Sequence, residues 1–449
     1  MIRSGTTVVD GQNPVVSKNQ SMRIAAVAVI IEPLEISPMM RTIVGLIFLL
    51  FLHRVRLAFN RFDLLFQIMK LHGKLFSMMT NNKLMDWPPE KIAAFQHALL
   101  DWYDHHARAL PWRQDHDPYH VMVSELMLQQ TQVQTVIPYY KRFMAQFPTV
   151  EALAAAPEAT VLKAWEGLGY YSRARRLQQA AKQIVNDYDG KWPKTAAELQ
   201  TLAGIGPYTA GAIASISFGE VVPAIDGNAF RVFARLFKVD ADIARPQTRK
   251  VFDDLIRPLM PKKRPGDFNQ AVMDLGSSYM SASHPDPAHS PVRAFDASFR
   301  DGVVQDYPVK TKKPRPVIHR YFALVIRSKA GYLLEQRPGK GMLADLWMFP
   351  LIDIADLEAT MESEQLDEIS ARFADLSGMT LTFADLGRPQ VQHTFTHQRW
   401  QLTLIGADAA AAELKFMPAR WVPVEDFGKM ALPTVQKKLN RALGLTEPG

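Results

Sequence analysis

Two acidic residues and one glycine-bearing turn carry the chemistry in this chain. Leu202–Ile213, LAGIGPYTAGAI, has the G-x-G turn of a helix–hairpin–helix. Gly204 and Gly206 can take left-handed conformations and leave no side chain in the way. A helix then opens at Pro207, a favoured first helical residue. The backbone N–H groups at such a start, Thr209 included, face outward where a phosphate can sit. Asp226 follows a short apolar run in VPAIDGN, which places its carboxylate beside a strand held by that turn. Glu125 lies in an apolar helical stretch, SELML, where burial raises a carboxyl pKa. A phosphate clamp with acids nearby points to chemistry on DNA. Taken singly, Glu125 also fits a capping or salt-bridged glutamate, and Asp226 a helix N-cap.

The rest of the chain must position these groups. Its 449 residues are too many for one typical domain, and an apolar share of 47% is that of a globular protein. A net charge of +7 and a pI near 9.3 fit a polyanionic partner. There is no cysteine, which excludes disulfides and thiolate-held metals or clusters. Residues 1–85 differ from the rest and are expected to be disordered or an artefact of an upstream start codon. Their apolar run Thr42–Leu52 is shorter than the ~20 residues that span a bilayer.

Residues 86–300 form a helical domain. Helices are expected over Glu90–Arg108, over Ser124–Phe147 with a break near Pro138, and as two elements within Glu151–Tyr188. Thr195–Ala214, Asn228–Lys238 and Phe268–Met280 complete it. Residues 301–316 are a basic, proline-broken linker, and residues 317–449 a small α+β domain with strands at Tyr321–Ile326, Tyr332–Gln336 and Trp400–Ile405. The fold class is multidomain: an all-α helix–hairpin–helix core followed by an α+β domain.

Segment 109–290 resembles the adenine DNA glycosylases of the MutY type. The pieces that carry the likeness are ALPWR (Ala109–Arg113), SELMLQQTQV (Ser124–Val133), GLGYYSRAR (Gly167–Arg175), LAGIGPYTAGAI, AIDGN (Ala224–Asn228) and FNQAVMDLG (Phe268–Gly276). LEQRPGKGMLADLWMFP (Leu334–Pro350) and HTFTH (His393–His397) resemble that family's Nudix-like C-terminal domain. The resemblance implies excision of adenine mispaired with 8-oxoguanine or guanine.

That reaction has definite needs. Adenine is a poor anionic leaving group, so an acid protonates the ring as the C1′–N9 bond breaks. A carboxylate then stabilises the oxocarbenium-like sugar. Glu125 matches the family's general acid and Asp226 its electrostatic or transiently covalent partner, with Asn228 supporting Asp226. Tyr208 stands where strand-cleaving relatives carry a Schiff-base lysine, so the resemblance implies a monofunctional enzyme, with Tyr208 near Asp226 or the reacting water. Trp112, Arg113 and Gln270 match the adenine pocket, Gln130 and Tyr170 the wedge that fills the gap left by the flipped base. Gly204, Gly206 and Thr209 are the phosphate-binding hairpin, and Phe395, Thr396 and His397 the element that probes 8-oxoguanine.

The family's [4Fe–4S] ligand positions align with Met280, Pro287, Ser290 and Asp296, so a clusterless enzyme with no other metal is expected. Nudix hydrolysis is excluded by Trp347 at the first glutamate of its motif and by the missing acidic run. The implied partner is double-stranded DNA bearing such mispairs, bound by a cytoplasmic, nucleoid-associated monomer with no membrane partner. Two rival classes remain: a helix–hairpin–helix glycosylase for another mispaired base, and a non-catalytic DNA-binding protein.

Overall fold

A computed structural model describes residues 87–312, 314–410 and 418–445. The expectation for residues 1–85 lies outside them. Among the described residues no helix is long and apolar enough to cross a membrane.

The helical domain has two hydrophobic cores that meet at a cleft. The first draws on Leu110 to Val222, joined by Leu346 from the second domain, with Phe143, Trp165 and Leu177 fully buried. It packs helices α2 (Pro118–Leu128), α3 (Val133–Gln146), α4 (Val150–Ala155), α5 (Glu158–Ala164), α6 (Ser172–Asp187), α7 (Ala196–Leu199) and α8 (Pro207–Phe218). The second core joins α1 (Pro89–His106) to α9 (Gly227–Phe237), α10 (Thr248–Ile256) and α11 (Pro265–Ser277) around Phe95, Phe233, Phe252 and Phe268. The chain crosses from one core to the other at Ala224–Gly227, so Asp226 lies on the seam.

Two helical boundaries differ from the sequence expectation. The break after Glu125 falls at Gln129–Gln132 rather than at Pro138, which is accommodated inside α3. The region 151–188 holds three helices rather than two, because Pro157 caps α5 instead of continuing α4. The short helix α10 was not anticipated.

The loop from Met280 to Asp296 packs beneath α9. Arg231 donates to the Met280 carbonyl at 3.0 Å and to the Gly276 carbonyl at 2.8 Å, and both Arg235 Nη atoms reach the Ser281 carbonyl at 3.2 Å. Asp296 is buried as the N-cap of the short helix α12 (Ala297–Arg300), accepting from Phe299 N–H at 3.0 Å and the Ser298 hydroxyl at 2.8 Å.

An eight-stranded mixed sheet begins at Val317. Its centre is a parallel pair, β1 (Val317–Ser328) and β7 (Gln398–Asp408), in register from Val317↔Gln398 to Arg327↔Asp408. Both faces of β1 are covered. Ala323 and Val325 face the core beneath helix α14 (Thr434–Leu443), while Phe322, Leu324 and Ile326 face helix α13 (Glu362–Ser377). The antiparallel hairpin of β6 (Val391–Thr394) with β7 carries Phe395–His397 at its tip.

Candidate active site

A cavity of about 480 Å³ opens between the two helical cores. Trp112, Arg113, Glu125, Gln130, Tyr208, Asp226, Asn228 and Gln270 all line it, so the residues expected to act in catalysis, in the pocket and, in Gln130, as a wedge converge on one space.

Glu125 projects from α2, where every residue from Val121 to Met127 is buried. Burial pushes its carboxyl up to about 7, and the negative charge of Asp226 pushes the same way. The Tyr208 hydroxyl donates to Glu125 Oε2 at 2.5 Å and opposes that rise, as does the nearby Arg113 guanidinium. Tyr208 therefore serves Glu125 directly rather than Asp226. Burial also holds the Tyr208 phenol well above its usual range, so it stays a donor.

Asp226 is the N-cap of α9 and also lines the cavity, so the capping and the functional readings coexist. Its Oδ1 accepts from Asn228 N–H at 2.8 Å and Ala229 N–H at 2.9 Å, and its Oδ2 accepts from Asn228 Nδ2 at 2.6 Å. Burial raises its pKa, against the pull of these three hydrogen bonds and of Arg231. Glu125 has one such donor. The helix start further favours a negative charge at Asp226, so of the two acids Asp226 is the better placed to be ionised. Asn228 is held in turn, its Oδ1 accepting from Arg231 Nη2 at 2.5 Å.

Arg113 is fixed by a residue the sequence reading missed. Asp274, on α11 four residues beyond Gln270, is 3% exposed. It accepts from Arg113 at 2.7 and 3.0 Å, from Arg108 Nε at 2.7 Å and again from Arg108 Nη2. Burial alone would raise the Asp274 pKa, and the two guanidiniums reverse that to leave it low. The sequence signal was present in FNQAVMDLG, an acid one turn from a pocket residue. Trp112 is buried edge-on to Tyr140, with ring centroids 5.3 Å apart.

The hairpin departs from expectation in two ways. Gly204 is left-handed at φ +76°, but Gly206 is extended as the N-cap of α8. Thr209 is 1% exposed, so its hydroxyl is core and only its backbone N–H stands at the helix start. The first backbone bond of α8 runs from Ala210 N–H to the Gly206 carbonyl.

The residues expected to act as a wedge are placed outward. Gln130 is exposed at φ +60°, and Tyr170 is 50% exposed at φ +47°. The Tyr170 and Thr396 hydroxyls are in hydrogen-bond contact, which joins the turn bearing Tyr170 to the hairpin tip of the second domain. Phe395 packs inward between His393 and Trp400, with centroids at 4.5 and 4.9 Å, so in this structure it supports the tip while Thr396 and His397 are exposed.

The four positions aligned with cluster ligands do not fit a thiolate-bound cluster. Met280 is fully buried in the second core, Pro287 is half-buried, Ser290 is buried and Asp296 caps α12. His284 and His289 are exposed, and His289 pairs with Asp286 at 2.9 Å.

Fold and cavity together define a two-domain DNA-repair protein. Residues 123–258 match the HhH-GPD superfamily of base excision DNA repair proteins, and residues 321–442 match the NUDIX domain. The adenine DNA glycosylase of Mus musculus is 36% identical over 405 residues, covering 78% of each chain. That of Homo sapiens is 34% identical over 417 residues, covering 80% of this chain and 76% of its own. Among solved structures, a thermostable thymine-DNA glycosylase is 24% identical with a TM-score of 0.44, covering 47% of this chain and 98% of its own. The chain belongs to the adenine DNA glycosylase family.

Proposed function

We propose that this protein excises adenine mispaired with 8-oxoguanine or guanine, as a monofunctional glycosylase of base excision repair. The observation that carries the reading is the pair of carboxyl groups on one cavity in unequal surroundings, Glu125 in an apolar helix and Asp226 at a helix start. A flipped adenine enters between Trp112, Arg113 and Gln270. Glu125 gives its proton to the ring as the C1′–N9 bond breaks, and the bonding pair leaves with the base. Asp226, ionised and held by Asn228 and Ala229, faces the positive sugar. Water adds to C1′ and its proton passes to Glu125, which is restored for the next cycle.

Tyr208 has no amine and cannot form a Schiff base, so the abasic strand is left uncut. Gly206 and the amides at the start of α8 hold a phosphate, Gln130 and Tyr170 enter the gap, and Phe395, Thr396 and His397 serve recognition of the opposing 8-oxoguanine. The protein works without an iron–sulfur cluster, its 280–296 loop held by Arg231, Arg235 and the Asp296 cap.

The test is single-turnover release from duplexes with adenine opposite 8-oxoguanine, adenine opposite guanine, and thymine opposite guanine. Adenine should be released and thymine retained, with the strand intact until alkali. Asp226→Asn should slow adenine release by roughly 10²-fold or more. Thymine release, or a borohydride-trapped adduct in full yield, refutes the proposal.

A further inference from the structure

The two wedge turns are far apart in sequence and share one buried cation. Arg173, in the first turn of α6, is 7% exposed. Its Nη1 donates to the carbonyls of Leu126 at 2.7 Å, Met127 at 3.0 Å and Gln129 at 2.6 Å. Its Nη2 donates to those of Leu168 and Gly169, both at 3.0 Å. The first three carbonyls end α2, where a helix leaves its last acceptors unpaired and its dipole negative. The other two belong to the turn that presents Tyr170. The guanidinium also lies 5.5 Å from the Tyr170 ring centroid and 5.3 Å from that of Trp165.

Arg173 is in no ion pair with a carboxylate among the described residues, so its charge is balanced by backbone carbonyls and ring faces alone. Burial pulls its pKa down to about 10, which leaves it protonated at neutral pH. A buried cation is costly to keep unless each bond to it is well made. What these bonds hold is a strained arrangement: Gln130 and Tyr170 are non-glycine residues at positive φ, one in each turn.

We propose that Arg173 is the positioning residue that fixes the Gln130 and Tyr170 wedges relative to one another, and through them the insertion into the duplex at the opposing base. This rests on the wedge reading given above. Lysine cannot replace it, since an ammonium has three N–H groups at a single point and cannot span five carbonyls of two turns.

A double-mutant cycle tests this, with single-turnover adenine release opposite 8-oxoguanine as the readout. Arg173→Lys should cost on the order of tenfold in the native background. In a Gln130→Ala/Tyr170→Ala background it should cost less than about twofold, because the groups it acts through are gone. A 2-aminopurine beside the opposing base should brighten on binding the native protein and stay quenched with Arg173→Lys at equal DNA occupancy. Equal losses in both backgrounds would overturn the proposal and place the effect at Glu125 or in general stability. If the wedge double variant itself loses nothing, the wedge reading falls first and the proposal with it. Should the lysine variant not fold, Arg173→Ala is assayed with millimolar guanidinium. Rescue by guanidinium and not by methylammonium supports the two-turn clamp, and a folded variant rescued by both or by neither refutes it.

Discussion

At the residue scale, the proposed reaction turns on two carboxyl groups in unequal surroundings. Glu125 titrates in the folded protein at about 7, against an ordinary value of 4.5. The folded state thus binds this proton more tightly than the unfolded chain, so stability falls as pH rises from 4.5 through 7. The penalty, roughly 3 kcal/mol, is complete above that range. Glu125→Gln removes it. The variant should melt above the native protein at pH 8, with the gap closing as the pH approaches 4.5, in calorimetric scans across pH. Tyr208→Phe deletes the one hydrogen bond that lowers the Glu125 pKa. The acid form then persists to higher pH, and the alkaline limb of the pH–rate profile should move upward. An unmoved limb would mean that Glu125 is not the titrating acid. The burial of Glu125 was legible because its neighbours Met122, Val123, Leu126 and Met127 are all apolar. Its partner was not, because Tyr208 is brought from 83 residues away by the packing of α8 on α2. Thr209 misled for a related reason: a hydroxyl beside a glycine turn looks exposed until the helix after it is seen to be buried on nearly every side.

At the element scale, the acids are held by helices that approach closer than side chains permit. A Cβ on Gly276 of α11 would sit 2.5 Å from Asn228 Cβ and 2.8 Å from Asn228 Cα, at the start of α9. On Gly211 of α8 it would sit 2.7 Å from the Pro223 carbonyl, in the segment that leads to Asp226. Gly276→Ala should therefore displace Asn228, cost about 1–3 kcal/mol in chemical denaturation and slow adenine release at least tenfold. Normal release by a destabilised variant would separate the packing from the chemistry. The helices themselves were largely readable from apolar spacing. The misplaced break in the α2–α3 region was not, since proline is the stronger signal in sequence, yet the chain turns where Arg173 collects the carbonyls at the end of α2.

At the scale of the whole molecule, the second domain is fastened to the helix that ends just before the turn bearing Tyr170. Glu166 is buried between Lys163 and Lys437, the latter at 3.0 Å, and accepts from Leu432 N–H at 3.4 Å. Tyr171 donates to the Leu432 carbonyl at 3.2 Å, and Arg175 to the Ala344 carbonyl at 2.7 Å. The hairpin tip bearing Thr396 is thereby registered against Tyr170. Glu166→Ala takes from Lys163 and Lys437 the carboxylate they share, and the ratio of rates opposite 8-oxoguanine and guanine should fall severalfold with the slower rate little changed. Thr396→Ala should lower the same ratio, and an unchanged ratio in both would remove the second domain from recognition. The order of a helical core and then a domain with a sheet was evident from the switch between helical and alternating patterns. The joint was not, because Lys163 and Tyr171 meet partners more than 250 residues away and no local pattern marks them. The loop fastened by Arg231 and Arg235 has a consequence for the life of the molecule. In a chain of 449 residues without cysteine, it holds no thiol that peroxide could turn into a sulfenic acid or a mixed disulfide. On the proposed reading, the conditions that oxidise guanine in DNA have no cysteine here through which to silence its repair.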